Sequence, residues 1–285
     1  MKTCLLLGAR GMLGSYLAAY LPSAPGAAGI RLACYDLPEI DICDPAGVAA
    51  VFDREQPALV INCAGYTNVD GAEADSENAF RVNGTAPGII AQAAKTAGSF
   101  LVHISTDFVF DGSRPGPYRE TDTPNPLCVY AASKLAGEKA IMEVSPKHLI
   151  VRTAWLYGPN GKNFVDTILA LAREKDSLKV VDDQAGSPTF SAMLAEYLWK
   201  LISKDATGVY HVAGAGSCTW FDLAVEAIRL AGLETAVTPC TTSEFPRPAD
   251  RPRNSALDVG KAERLLGEDI PNWRSALRRY LSKSY

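Results

Sequence analysis

The feature that most constrains the fold is a glycine-rich turn directly behind a short apolar run, Leu5-Leu6-Leu7-Gly8-Ala9-Arg10-Gly11-Met12-Leu13-Gly14. An apolar strand followed by Gly8, Gly11 and Gly14 and then a helical pattern makes a strand–turn–helix junction. Glycine lets such a turn tighten and approach a pyrophosphate, whose charge rests on the N–H groups at the helix start. The spacing is GxxGxxG rather than GxGxxG, so three glycines alone are a weak signal. Their position on the first strand of a βαβ unit makes dinucleotide binding the expectation.

That alternation continues through the first half. Residues 3–7, 31–35, 58–63, 100–105 and 148–153 are continuous apolar runs, as expected of parallel strands buried on both faces. Residues 11–21, 45–55, 83–97 and 129–144 between them read as helices. The fold class is therefore α/β, a Rossmann-type doubly wound parallel sheet. Beyond Trp155 the regularity weakens, with helical patterns at 190–203, 220–232 and 257–266 and a Pro- and Arg-rich loop over 245–253. The expected division is a dinucleotide-binding unit over 1–156 and a smaller, mainly substrate-binding lobe over 157–285, some of whose segments return to the first unit.

Bulk properties exclude several classes. A net charge of -4 and a pI near 5.5 give no electrostatic basis for nucleic-acid binding. The seven cysteines are scattered without a CxxC spacing, and three histidines are too few to suggest a metal site. The N-terminal apolar run, only Cys4 to Leu7, is too short for a secretion signal or membrane span. A cytoplasmic protein without a metal is the expectation.

Chemistry-bearing residues fall at strand ends. Asp36 closes the second strand, where a carboxylate can bind a ribose 2′-hydroxyl and disfavour a 2′-phosphate. Arg10, inside the turn, points the other way, because a cation there can accept that phosphate. NADH and NADPH both remain open. Val129-Tyr130-Ala131-Ala132-Ser133-Lys134 contains YxxxK, which puts phenol and ammonium on one helical face. Chance alone supplies roughly half a match in such a chain, so the context has to carry the assignment. Ile104-Ser105-Thr106-Asp107 closes the fourth strand and Asn62-Cys63-Ala64-Gly65-Tyr66-Thr67 the third, at the edge where open α/β sheets hold chemistry. Thr106 can donate to a carbonyl, Asp107 can orient neighbours, and a lysine beside Tyr130 can lower its pKa enough to make it a proton donor. His103, His148 and His211 adjoin strands and are expected to be structural.

With these motifs the chain resembles the extended short-chain dehydrogenases. The segments Arg152-Thr153-Ala154-Trp155-Leu156-Tyr157-Gly158, Asp183-Gln184-Ala185-Gly186-Ser187-Pro188-Thr189, Gly208-Val209-Tyr210-His211 and Arg251-Pro252-Arg253-Asn254-Ser255 narrow the similarity to the dTDP-4-dehydrorhamnose reductases. The resemblance implies Thr106, Tyr130 and Lys134 as the catalytic set. It places Met12, Leu13, Gly14, Asp41, Ile42, Ala64, Gly65 and Tyr66 against NADPH or NADH, and Trp155 beside the sugar of a dTDP-linked 4-keto-6-deoxysugar. Arg253 joins the expected substrate contacts, although a solvated loop cation is the competing reading for Arg247, Arg251 and Arg253. Met12 stands where the family often has Gln, Phe108 where Tyr is common, and Ala131 where Gly often follows the tyrosine. Two other readings stay open: another nucleotide-sugar reductase or epimerase, and a non-catalytic regulatory subunit resembling that of methionine adenosyltransferase. A homodimer is also left open.

Overall fold

The computed structural model describes residues 2–145 and 147–282. β1 (Lys2–Leu7), α1 (Met12–Tyr20), β2 (Ile30–Tyr35), α2 (Pro45–Glu55) and β3 (Pro57–Asn62) open the chain. Two short helices, α3 (Val69–Ala74) and α4 (Ser76–Phe80), lead through a π-helical turn at Arg81–Thr85 into α5 (Ala86–Ala97). β4 (Phe100–Thr106), α6 (Val129–Val144) and β5 (His148–Thr153) complete the alternation. The second half comprises β6 (Leu156–Tyr157), α7 (Phe164–Glu174), β7 (Ser177–Val181), β8 (Ala185–Gly186), β9 (Thr189–Phe190) and α8 (Ser191–Ser203). It continues with β10 (Gly208–His211), β11 (Cys218–Thr219), α9 (Trp220–Leu230), β12 (Ala236–Cys240), α10 (Gly260–Leu266) and α11 (Trp273–Ser282).

The main sheet has the order β10-β5-β4-β3-β1-β2, and every pairing in it is parallel. After β1 the chain runs outward to β2, then returns to β3 on the other side of β1. That reversal opens a crevice beyond the C-terminal ends of β1 and β3. Side chains alternate between the two faces. Leu5 and Leu7 pack with Val48, Val51 and Phe52 of α2 and with Ile90 and Ala94 of α5, whereas Cys4 and Leu6 join Leu13 and Leu17 of α1 and the buried face of α8. Both faces are covered, which is why these strands read as unbroken apolar runs.

Local chemistry fixes the boundaries. α2 starts where Asp44 accepts from Ala46 N at 3.0 Å and Pro45 occupies the first turn. The helix expected over 83–97 proves to be α5 preceded by the π turn. That turn bulges against α6, where Gly137 makes room: a Cβ there would stand 2.1 Å from the Asn83 carbonyl oxygen. The pattern at 257–266 becomes helical only at Gly260. Leu257 is held extended by a bridge to Tyr118, and Asp258 N donates to Tyr118 O at 2.7 Å. The 245–253 stretch is a loop, as expected, tied back by Arg251 to Asp70 at 2.9 Å. Among the described residues no helix is long and apolar enough to cross a membrane.

Candidate active site

A cleft of about 980 Å³ opens at the C-terminal ends of β1, β3 and β4. Every residue assigned from the sequence to the dinucleotide or to catalysis lines it, and so do Asp107 and Trp155. Arg253 does not. Its residue is exposed on its loop and does not line this cleft.

At the phosphate end, Gly8 has φ +76°, and a Cβ on it would lie 2.5 Å from Ala64 N. A Cβ on Gly14 would lie 2.0 Å from the Gly8 oxygen. Only glycines let this turn close against both the third strand and α1. Gly11 is the N-cap of α1 and provides no side-chain cap, leaving the first-turn N–H groups for an anion. The residues present thus fit a dinucleotide. Just beyond, Asp36 accepts from Arg10 N at 2.7 Å and from Leu37 N at 2.8 Å. The Arg10 guanidinium turns outward to the Leu37 carbonyl and pairs with Glu39, both ends of the pair well exposed. Asp41 is held below the usual carboxylate range, first by the Cys43 N–H and then with help from Arg81.

At the far end, β4 delivers Thr106 and α6 delivers Tyr130 and Lys134. Thr106 Oγ1 donates to Asp107 Oδ1 at 3.0 Å and accepts from Phe108 N at 3.2 Å. Burial pushes the Asp107 carboxyl up to about 7 and the Tyr130 phenol up to about 12, the latter against a smaller opposing effect of Thr106. The expected lowering of that phenol by Lys134 is absent here, and the reason is geometric. Lys134 Nζ donates to the Ile104 carbonyl at 2.6 Å and lies 3.4 Å from His103 Nε2. Burial lowers this lysine to about 8. Tyr130 is therefore a protonated phenol, able to give its proton to a developing alkoxide.

Several supporting residues escaped the sequence reading. Asn83, buried in the π turn, accepts from Tyr66 N at 2.8 Å and donates to Tyr66 O at 2.9 Å and to Ser133 Oγ at 3.1 Å. It clamps the 64–66 segment to α6, yet an asparagine heading a helical pattern reads only as a cap. His103 bridges Asn62 and Lys134, so it belongs to the site rather than to the strand alone. Glu138, one turn beyond Lys134, receives two bonds from Arg152, at 2.9 and 2.6 Å, with both side chains buried. This pair ties α6 to β5. Trp155 adopts φ +45° and stacks on Trp220 with ring centroids 3.4 Å apart. A Cβ on Gly186 would come within 2.3 Å of the Trp155 indole. No local pattern marks Trp220 or Gly186, because the contacts are long-range.

A switch-point crevice, a glycine cradle and a Thr–Tyr–Lys set at the neighbouring strand end define the class: an extended short-chain dehydrogenase-type protein. The chain belongs to the family described as the RmlD substrate binding domain, which matches residues 1–285. It is similar to dTDP-4-dehydrorhamnose reductase from Aggregatibacter actinomycetemcomitans, 38% identical over 98% of each chain. The corresponding protein from Streptomyces griseus is 41% identical, covering 96% of this chain and 91% of that one. Among solved structures, dTDP-4-dehydrorhamnose reductase from Bacillus anthracis in complex with NADP superposes with a TM-score of 0.94 at 38% identity, covering 100% of both chains.

Proposed function

We propose that this chain reduces the 4-keto group of dTDP-4-dehydro-L-rhamnose to give dTDP-L-rhamnose, using NADPH or NADH. The observation that carries this reading is the convergence of Thr106, Tyr130 and Lys134 with the glycine cradle in one cleft, in a chain similar throughout to reductases of that name. Bound reduced nicotinamide supplies the hydride that reaches C4. Tyr130 gives its phenolic proton to the forming alkoxide, the C4 carbonyl becomes a hydroxyl, and solvent returns a proton to the phenolate. Thr106 Oγ1 supports the oxygen as charge builds, and the buried setting of Thr106 strengthens that stabilisation. Asp107 orients Thr106 through their 3.0 Å bond, and Trp155, braced by Trp220, offers a flat apolar face to the sugar.

The same reading assigns residues 1–156 to the dinucleotide and 157–285 mainly to the sugar nucleotide, with β10 and α8 returning to the sheet. A cytoplasmic location belongs with it, since all seven cysteines are free. The intact Thr106–Tyr130–Lys134 set argues against a non-catalytic regulatory subunit. The test is to mix purified protein with NADPH or NADH and a panel of nucleotide-linked 4-keto sugars and follow loss of the reduced-nicotinamide absorbance. Oxidation with the dTDP-linked 6-deoxy-4-ketosugar is expected. Turnover confined to other nucleotides, or none at all, overturns the proposal.

A further inference from the structure

We propose that His103 is a positioning residue that donates from Nε2–H to Lys134 Nζ, favouring the neutral amine in the free protein, so that dinucleotide binding draws in a proton. The inference follows a chain of donors and acceptors. Ala64 N donates to Asn62 Oδ1 at 3.1 Å, which fixes the amide and turns Asn62 Nδ2 toward His103 Nδ1, 3.1 Å away. An amide NH₂ only donates, so Nδ1 must accept and the ring proton sits on Nε2. That N–H faces Lys134 Nζ at 3.4 Å. An ammonium has no lone pair to receive it, whereas a neutral amine accepts from His103 and still donates to the Ile104 carbonyl at 2.6 Å. His103 is itself 1% exposed and held neutral by burial, so it cannot restore the balance by taking a second proton.

Of the other groups around Lys134, Glu138 and then Cys63 favour the ammonium, but burial outweighs both. Glu138, on the same helix, is partly offset by its two bonds from Arg152 of β5. The Cys63 thiol beyond β3 and the Tyr130 phenol are both pushed up to about 12 by burial and remain uncharged. The Asp107 carboxyl at the end of β4 is pushed up to about 7. A ligand carrying ribose hydroxyl acceptors and a diphosphate favours the ammonium instead, so binding and protonation are linked.

The test begins on the free protein. Nitrogen-15 NMR should show His103 as the Nε2–H tautomer and Lys134 titrating at or below about 8. An Nδ1–H tautomer, or a lysine titrating at its ordinary value near ~10.4, overturns the proposal. Calorimetry in two buffers of different ionisation heat, with NADPH as the probe, should then show proton uptake at about pH 9 that fades by about pH 6. Equal uptake at both values, or none at about pH 9, also counts against it. His103→Gln places an acceptor near Lys134 and should raise the lysine midpoint by about one pH unit. A purely structural histidine would leave that midpoint unmoved. Because this reasoning rests on the dinucleotide reading of the cleft, the outcomes separate. Failure to bind NADPH rejects that reading, while the NMR on the free protein still decides the His103–Lys134 assignment.

Discussion

The two ends of the cleft are built on opposite electrostatic terms. At the phosphate end, Arg10 pairs with Glu39 and Arg81 with Asp41 in the water layer, and half-buried Asp36 accepts only from backbone N–H groups. At the reacting end, Thr106, Asp107, Lys134, His103 and Glu138 are all buried. Exposed charges interact weakly and are screened by salt. Buried polar groups are strengthened by the same low dielectric that makes a lost partner expensive. On the function proposed above, the difference teaches that cofactor choice rests on small, adjustable effects, and chemistry on large, preorganised ones.

Substitutions can break that contrast at several depths. Tyr130→Phe removes the transferable proton with little change of shape, and should cost ~10²–10⁴-fold in turnover while dinucleotide affinity is kept. Steady-state rates set beside direct binding measurements check it, and near-normal turnover would reject Tyr130 as the acid. Glu138→Gln strands the buried Arg152 and should destabilise the fold by ~3–5 kcal/mol, read as a lower denaturation midpoint. A change below about 1 kcal/mol would mean the pair is hydrated after all.

Asp107→Asn should act in the reverse direction, and with a pH signature. The Asp107 carboxyl sits at about 7 in the folded chain, above its unfolded value near ~3.9. The stability it contributes is therefore complete below the unfolded value and is lost as pH rises through about 7. Asparagine removes that loss, so the variant should gain on the order of 4 kcal/mol above about pH 7 and little near about pH 4. Equal gains at both pH values in urea unfolding would sink the assignment.

The smallest effect belongs to the exposed end. Arg10→Ala should weaken NADPH more than NADH by less than tenfold, about 1.4 kcal/mol, and the difference should shrink with added salt. Glu39→Gln releases Arg10 from its partner and should shift preference toward NADPH. Equal loss of both cofactors in Arg10→Ala would make Arg10 a bystander.

The legibility of the sequence follows the same division between local and distant causes. The glycine turn, the five apolar strands and YxxxK depend on neighbours within a few residues, so their pattern survives in the linear sequence. β7 pairs with β12, and β6 with β9, across long intervals, and such short strands carry too few residues to show a period. Lys134 was readable as a partner of Tyr130 from spacing alone. Its actual partners, the Ile104 carbonyl and His103, are set by the register of β4 beneath α6, which no spacing within α6 encodes. Arg253 stayed ambiguous for a related reason: a cation in a loop has no local mark that distinguishes a ligand contact from solvent.

The last strand of the main sheet is also the last to be synthesised. β5 pairs with β10, Leu149 to Gly208 through Arg152 to His211, and α7, α8 and four short strands, β6 to β9, lie between them in the chain. While the nascent polypeptide leaves the ribosome, the outer edge of β5 offers unpaired N–H and C=O groups, with no strand yet available to occupy them. An open, apolar strand edge is a template for another chain. The growing protein thus passes through an interval of aggregation risk that closes only when Gly208–His211 docks, and a chain ended at residue 156 would remain in it permanently.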